Sequence, residues 1–312
     1  MGKTKKRALV VSGGGAKGAF AGGLAHKLYE RGHRWDKYYG TSTGALLNTL
    51  IPLNDFDGLK DIYTNVNNRS IFDKPPFNQK GRLNIFRAIW RAITGRTSIG
   101  RARNLRKLIT STYTEKKHDE IITRGKHICA CVTNYSKGHV EYAYNTEHEY
   151  ETFVDYVFAS ASVPIAMDLV EINGQEYLDG GVMEHVPLQQ AIKDGADEVD
   201  VIVLRPNYNE LEMYWESKNM VNVVMRSMQL MMKEISESDL IVGKLKNELN
   251  KNVLINLYYV PHDLTGNSLV FNPKTMKIWW ETGYEVDIPD YVDEENTSGL
   301  RLKEYRITVM EE

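Results

Sequence analysis

The chain has 312 residues, of which 42% are apolar, 26% charged and 10% aromatic. This composition supports a full-sized hydrophobic core and excludes disordered, collagen-like and small disulfide-stapled chains. The net charge of −2 hides an asymmetry: residues 1–127 carry 25 Lys and Arg against 9 Asp and Glu, whereas residues 128–312 carry 14 against 32. Nine cations and no acid fall between Lys80 and Lys107, which reads either as a surface for an anionic partner or as charge that the fold neutralises against its acidic half.

In chain order, MGKTKKRALVV is basic and then apolar, but the apolar run is too short for a signal sequence and reads as a first strand. Lys6 stands where a myristoylation signal wants Ser or Thr. Arg7 to Ser12 is that strand, followed by Gly13-Gly14-Gly15-Ala16-Lys17-Gly18 and a helical pattern up to Gly32. Lys37 to Gly40 reads as a second strand, leading through Thr41-Ser42-Thr43-Gly44 into a helix from Ala45 to Leu50 that Pro52 halts. Residues 70–105, interrupted by Pro75, Pro76, Gly81, Gly95 and Gly100, read as an insertion or cap. Ile128–Thr133 and Val140–Tyr144 look like strands, Glu151–Ala161 like a helix, and Leu169–Leu178 like a hairpin turning at Asn173-Gly174. A helix from Pro187 to Lys193 precedes another strand, Val199 to Leu204. This alternation predicts one α/β domain with a mainly parallel sheet and a ligand site at the carboxyl ends of its strands.

Cys129 and Cys131, at i and i+2 of an apolar strand, are poorly placed to bridge, which suits a reducing, cytoplasmic compartment. No run of about 18 apolar residues is present to span a bilayer. The histidines are scattered and the acids form no calcium loop, so neither a metal nor another cofactor is expected, and nothing points to nucleic acid.

Gly40-Thr41-Ser42-Thr43-Gly44 fits the G-x-S-x-G nucleophile elbow, in which small flanking residues allow a tight strand-to-helix turn that holds Oγ toward a substrate. The glycine loop has two readings. Gly13, Gly15 and Gly18 satisfy G-x-G-x-x-G, so a dinucleotide-binding oxidoreductase is a rival; yet its ribose-binding acid is missing, since Asp36 begins the second strand instead of ending it. Alternatively, the three successive glycines let backbone N–H groups converge on an oxyanion, with Lys17 fixing the loop or adding positive potential. Asp179-Gly180-Gly181, a carboxylate at a strand end followed by two glycines, suits a group aimed into a cleft, though such a triplet is also a common turn.

Together with Ala159-Ser160-Ala161-Ser162-Val163-Pro164, these blocks resemble the patatin-like phospholipase family, in its order and over residues 8 to about 205. The resemblance implies a three-layer αβα fold with a central, mainly parallel sheet. It implies a Ser42–Asp179 dyad without a catalytic His, and an oxyanion hole from the Gly13, Gly14 and Gly15 backbone, with Lys17, Gly18, Thr43, Gly180 and Gly181 supporting the site. The implied activity is hydrolysis of phospholipids or other acyl esters through an acyl-enzyme. The family often has Arg at Lys17 and Asn at His185, which leaves His185 as a group that could join the site. A lipid-binding module without catalysis is a further alternative.

Two amphipathic segments bear on a lipid substrate. Between Arg82 and Arg96, Ile85, Phe86, Ile89, Trp90 and Ile93 recur at helical spacing with arginines off that face, so the segment reads as a peripheral membrane contact or as a helix packed on the sheet. From Met220 to Ile235 a Met-rich stripe fits core or the wall of an acyl pocket. Phe271–Tyr284 predicts a closing helix with a Trp pair. The expected organisation is one domain over 1–312, with a cap or insertion at 70–107 and a helical and strand extension from about 210. The sequence sets no oligomeric state.

Overall fold

The computed structural model describes residues 5–76, 90, 93–94, 97–207, 220–250, 253–262, 264–265, 267–288 and 302–305. Within these, nine strands form one sheet: β1 (Arg7–Val11), β2 (Lys37–Thr41), β3 (His127–Asn134), β4 (His139–Tyr144), β5 (Val170–Ile172), β6 (Gln175–Asp179), β7 (Glu198–Val203), β8 (Leu254–Tyr259) and β9 (Leu302–Tyr305). Hydrogen-bonded neighbours run β5-β6-β3-β2-β1-β7-β8-β9, with β4 also on β3. The pairs from β3 through β9 along this path are parallel, and those among β3, β4, β5 and β6 are antiparallel.

The helices are α1 (Gly18–Glu30), α2 (Thr43–Asn48), α3 (Phe56–Asn65), α4 (Asn68–Ile71), α5 (Arg103–Thr112), α6 (Glu115–Thr123), α7 (Tyr150–Ser160), α8 (Leu188–Lys193), α9 (Met220–Asn250) and α10 (Pro273–Tyr284). They cover both faces of the sheet, and strand alternation shows why. In β1, Leu9 and Val11 join the core beneath α1, α3 and α10, while Ala8 and Val10 join the core beneath α8. β7 divides likewise, with Ile202 on the first side and Val199, Val201 and Val203 on the second. Strands buried on both faces read as the continuous apolar runs seen in the sequence. The result is three layers, αβα.

Several expected elements appear within a residue or two of their sequence bounds. The hairpin turns through Asn173 (φ 51°) and Gly174 (φ 74°), both positive as a tight two-residue turn demands. The Trp pair of α10, Trp279 and Trp280, is buried. β8 and β9 extend the sheet past the last strand read from sequence. Ion pairs join the basic and acidic halves, including Arg106 with Glu151 (3.2 Å) and Asp155 (2.7 Å), so part of the basic run is paired at the protein's surface. Most of the amphipathic segment 82–96 lies outside the described residues; of its apolar members, Trp90 and Ile93 are described and exposed.

α1 crosses α10 with backbones nearly touching. A Cβ on Gly23 would fall 2.0 Å from the Trp280 carbonyl oxygen, and one on Gly283 2.2 Å from that of Phe20. Gly23→Ala must therefore push the helices apart, and a loss of about 2–4 kcal/mol is expected in urea unfolding. Gly32→Ala has open space but a φ of +92°, so it should cost only about 1 kcal/mol.

Candidate active site

The turn after β2 is held by steric necessity. Ser42 adopts φ 55° and ψ −121°, a conformation that a non-glycine residue keeps only when its surroundings impose it. A Cβ on Gly40 would lie 2.3 Å from the Gly44 carbonyl carbon, and one on Gly44 2.1 Å from the Val11 carbonyl oxygen, so both glycines of G-x-S-x-G are required by contact. Ser42 precedes α2 yet its side chain caps nothing, which leaves the hydroxyl available.

Strand register brings Asp179 to the same point. β4 occupies one edge of β3 along Cys129–Asn134. On the other edge β2 pairs as far as Thr41 with Cys131, and β6, running the opposite way, begins its pairing with Asp179 against Val132. The carboxyl end of β2 and the carboxyl end of β6 thus meet head to head, and β2 has to leave the sheet where Asp179 takes its place. Ser42 is 5% exposed and Asp179 fully buried.

The Asp179 carboxyl is sparsely solvated by protein. Oδ1 accepts the Gly181 N–H at 2.8 Å, whereas Oδ2 accepts no close hydrogen bond. Burial pushes its pKa up to about 7, against a smaller opposing pull from the Ser42 hydroxyl and the Gly181 N–H. The two side chains are near enough to interact but not tightly hydrogen-bonded. Asp200 shows the contrast: this buried carboxylate receives Trp35 Nε1 (2.7 Å) and Asn256 Nδ2 (2.8 Å), and pairs with His33 Nδ1 (2.8 Å).

The carboxyl end of α7 holds both partners. The Ser42 N–H donates to Ser160 Oγ (3.0 Å), whose own proton goes to the Cys131 carbonyl (2.6 Å). The Asp179 N–H donates to the Ser162 carbonyl (3.0 Å). The Ala-Ser-Ala-Ser-Val-Pro block signalled a family resemblance in the sequence, but not this clamp.

Gly14 and Gly15 line the cavity beside Ser42, whereas the Gly13 N–H donates to the His185 carbonyl at 3.2 Å. Lys17 lines the cavity too, its Nζ donating to the Leu204 carbonyl and tying the loop to the end of β7. Gly18 packs so closely on Thr43 that a Cβ would lie 2.2 Å from its Oγ1. Gly180 lies against the Cys131 carbonyl and Gly181 against His185 and Asp179. His185 also lines the cavity, with Nδ1 unpartnered and its pKa lowered to about 3, first by burial and then by Lys17 and Arg205. Asp239 of α9, which no sequence signal marked, accepts the N–H groups of His185 (2.7 Å) and Val186 (2.9 Å).

The cavity measures about 400 Å³. Leu46, Ile71, Leu105, Val163, Met167, Leu269 and Phe271 give it apolar walls. Met228 and Met232 of the Met-rich stripe line it, while Met231 is 63% exposed; the side chains of Met220, Val221 and Met225 lie outside the described residues. Among the described residues no cluster of metal-ligating side chains occurs, and no helix is long and apolar enough to cross a membrane.

The family model for patatin-like phospholipase matches residues 9–192. The uncharacterized protein YjjU of Escherichia coli K12 is 25% identical over 203 residues, 64% of this chain and 52% of the relative, so the chain spans about half the length of that curated protein. The crystal structure of VipD from Legionella pneumophila aligns over 91% of this chain and 66% of that one, with 17% identity and a TM-score of 0.45.

A carboxyl whose folded pKa lies above its unfolded value costs stability as pH rises. The unfolded group ionises near 3.8 while the folded one stays protonated up to about 7, so the loss accumulates across that window and is complete above it. Asp179→Asn, which keeps an oxygen for the Gly181 N–H, is expected to be more stable than wild type at pH 8 by about 2 kcal/mol or more, with a smaller gap at pH 5, in urea unfolding. Ser160→Ala leaves the Ser42 N–H without its acceptor, and a loss of about 1–3 kcal/mol is expected in the same assay.

Proposed function

We propose, from the premise that the chain belongs to the patatin-like phospholipase family, that it is a serine lipid acyl hydrolase working through a Ser42–Asp179 dyad. The observation that carries this reading is the meeting of the two strand ends beside β3, which sets a strained, uncapped serine next to a buried carboxyl whose pKa is about 7. A carboxylate with its usual pKa near 4 is a weak base toward a hydroxyl, and burial moves this one to where a general base operates at neutral pH.

Ser42 Oγ attacks the ester carbonyl while its proton passes to the Asp179 carboxylate. The oxyanion is held by the N–H groups of Gly14 and Gly15; Gly13, expected from sequence to join them, already donates to His185. Collapse breaks the ester C–O bond, and Asp179 returns the proton to the leaving alcohol. Water then attacks the acyl-serine with Asp179 again as base, releasing the carboxylic acid and free Ser42. His185, held neutral far below its usual pKa, packs against the glycine loop and takes no proton.

The dinucleotide alternative loses support because Asp36 sits at the amino end of β2, accepting the Arg7 N–H and pairing with Lys126 at 3.3 Å, away from the glycine loop. One domain over 1–312 is part of the proposal, supported by the continuation of the sheet through β8 and β9. So is a cap over 70–107, whose two ends, Ile71 and Leu105, line the cavity. A cytoplasmic location fits the unbridged, buried Cys129 and Cys131 thiols.

Hydrolysis of a p-nitrophenyl acyl-ester series tests the assignment. Ser42→Ala and Asp179→Asn should each lower kcat/KM by about a thousandfold or more, and His185→Ala by less than about tenfold. Full loss in His185→Ala with activity kept in Asp179→Asn would move the base to His185. The base must be ionised, so wild-type kcat/KM should rise with pH through a midpoint close to 7; a flat profile between pH 5 and 8 would contradict Asp179 as that base.

A further inference from the structure

The cavity around Ser42 has chemically different ends. Toward α2, α5 and the segment after α7 it is apolar, with Leu46, Leu105, Val163 and Met167. Toward β7 and α9 it carries all of its cations: Arg205 follows β7, Arg226 and Lys233 project from α9 beside Met228, Leu230 and Met232, and Lys17 comes from the glycine loop. No Asp or Glu is among the described residues lining it. Arg226 and Lys233 are seven residues apart, two helical turns, and so share one face of α9.

Strand order relates these ends to the reacting bond. β1 and its glycine loop lie between β2, which carries Ser42, and β7, which leads to Arg205. The glycine loop, Ser42 and Arg205 therefore open onto one cavity, with the cations on the β7 side of Ser42.

We infer that the Arg205, Arg226 and Lys233 end is a headgroup subsite for glycerophospholipids of net negative charge, so that the protein selects them over zwitterionic lipids. This deepens the lipid hydrolase reading above and rests on it. A zwitterionic headgroup carries an ammonium into a space already lined by cations, where like charges a few ångströms apart repel in a medium less polar than water. A net anionic headgroup brings only the complementary charge. Arg205 is suited to the role: its side chain is 16% exposed and is held by Ser236 Oγ (3.0 Å), the Pro206 carbonyl (3.2 Å) and Glu237 (3.5 Å). A guanidinium fixed in place and largely stripped of water loses little more on binding an anion. Glu237 and Glu234, the acids nearest Arg205, lie outside the cavity wall. The low pKa of the neighbouring His185, to which Lys17 and Arg205 contribute after burial, reports the same positive potential.

The test is isothermal titration of the full chain with six-carbon dialkyl ether analogues of phosphatidylglycerol and phosphatidylcholine below their micelle-forming concentrations. Ether lipids cannot be cleaved and monomers present no bilayer, so headgroup preference is read apart from both hydrolysis and surface recruitment. The glycerol lipid should bind at least about tenfold more tightly, with the preference shrinking at high salt. Arg226→Gln with Lys233→Gln should bring the two affinities within about twofold, and Arg226→Lys with Lys233→Arg should keep the preference. Equal affinities in wild type, a preference unchanged in the neutral double variant, or inorganic phosphate binding as tightly as the anionic lipid would each overturn the inference. Failure of the catalytic reading would show separately, as absent ester turnover beside an intact binding preference.

Discussion

The constraint on which the molecule depends is that two strands compete for one edge of β3. β2 pairs up to Thr41, and β6 arrives from the other direction to claim the next position with Asp179. Two backbones cannot share that row, so β2 turns out of the sheet at Ser42, into a conformation that costs about 1–3 kcal/mol for a residue with a side chain. The elbow glycines, the Ser160 bridge and the Ser162 carbonyl all serve this junction: the glycines let the turn close on itself and on β1, and the two serines fix the strand ends against β3 and α7. A hydroxyl and a carboxyl placed by the sheet are set more rigidly than a pair carried on separate loops.

Burial of the second partner follows from the same geometry. Asp179 sits within a sheet edge flanked by Val132 and the body of α7, where few donors are available, whereas Asp200 in the middle of β7 is met by three side chains. The first carboxyl is costly to ionise, and the second has side-chain partners on both oxygens. That difference separates a group suited to exchanging a proton from one that ties elements together. The expense of the first is spread over a sheet buried on both faces and helices packed closely at glycines.

Much of this was legible in the sequence because the signals were local. The strand–glycine–helix unit at Gly13 to Gly18, the elbow around Ser42, the hairpin at Asn173-Gly174 and the apolar runs of β1, β3 and β7 each follow from spacing or from a backbone that only certain residues adopt. What was not legible depended on contacts distant in the chain. Nothing near Gly13 announces that its N–H is engaged by His185, and nothing in the polar run before Leu240 marks Asp239 as the acceptor that holds the His185 loop. Ser160 stood inside a recognised block, yet its bond to the Ser42 N–H spans 118 residues. The cationic end of the cavity likewise gathers Lys17, Arg205, Arg226 and Lys233 from three separate regions, and the overall charge asymmetry gave no hint of it.

In the proposed mechanism Ser42 is a nucleophile made reactive by the adjoining carboxylate. Its most direct measurement is the rate of covalent labelling by a fluorophosphonate followed across pH, with the modified peptide identified by mass spectrometry. One adduct is expected, on Ser42, forming faster as pH rises through about 7 and nearly abolished when Asp179 is replaced by Asn. An adduct on a different residue, or labelling of Ser42 that is indifferent to the carboxylate, would contradict it.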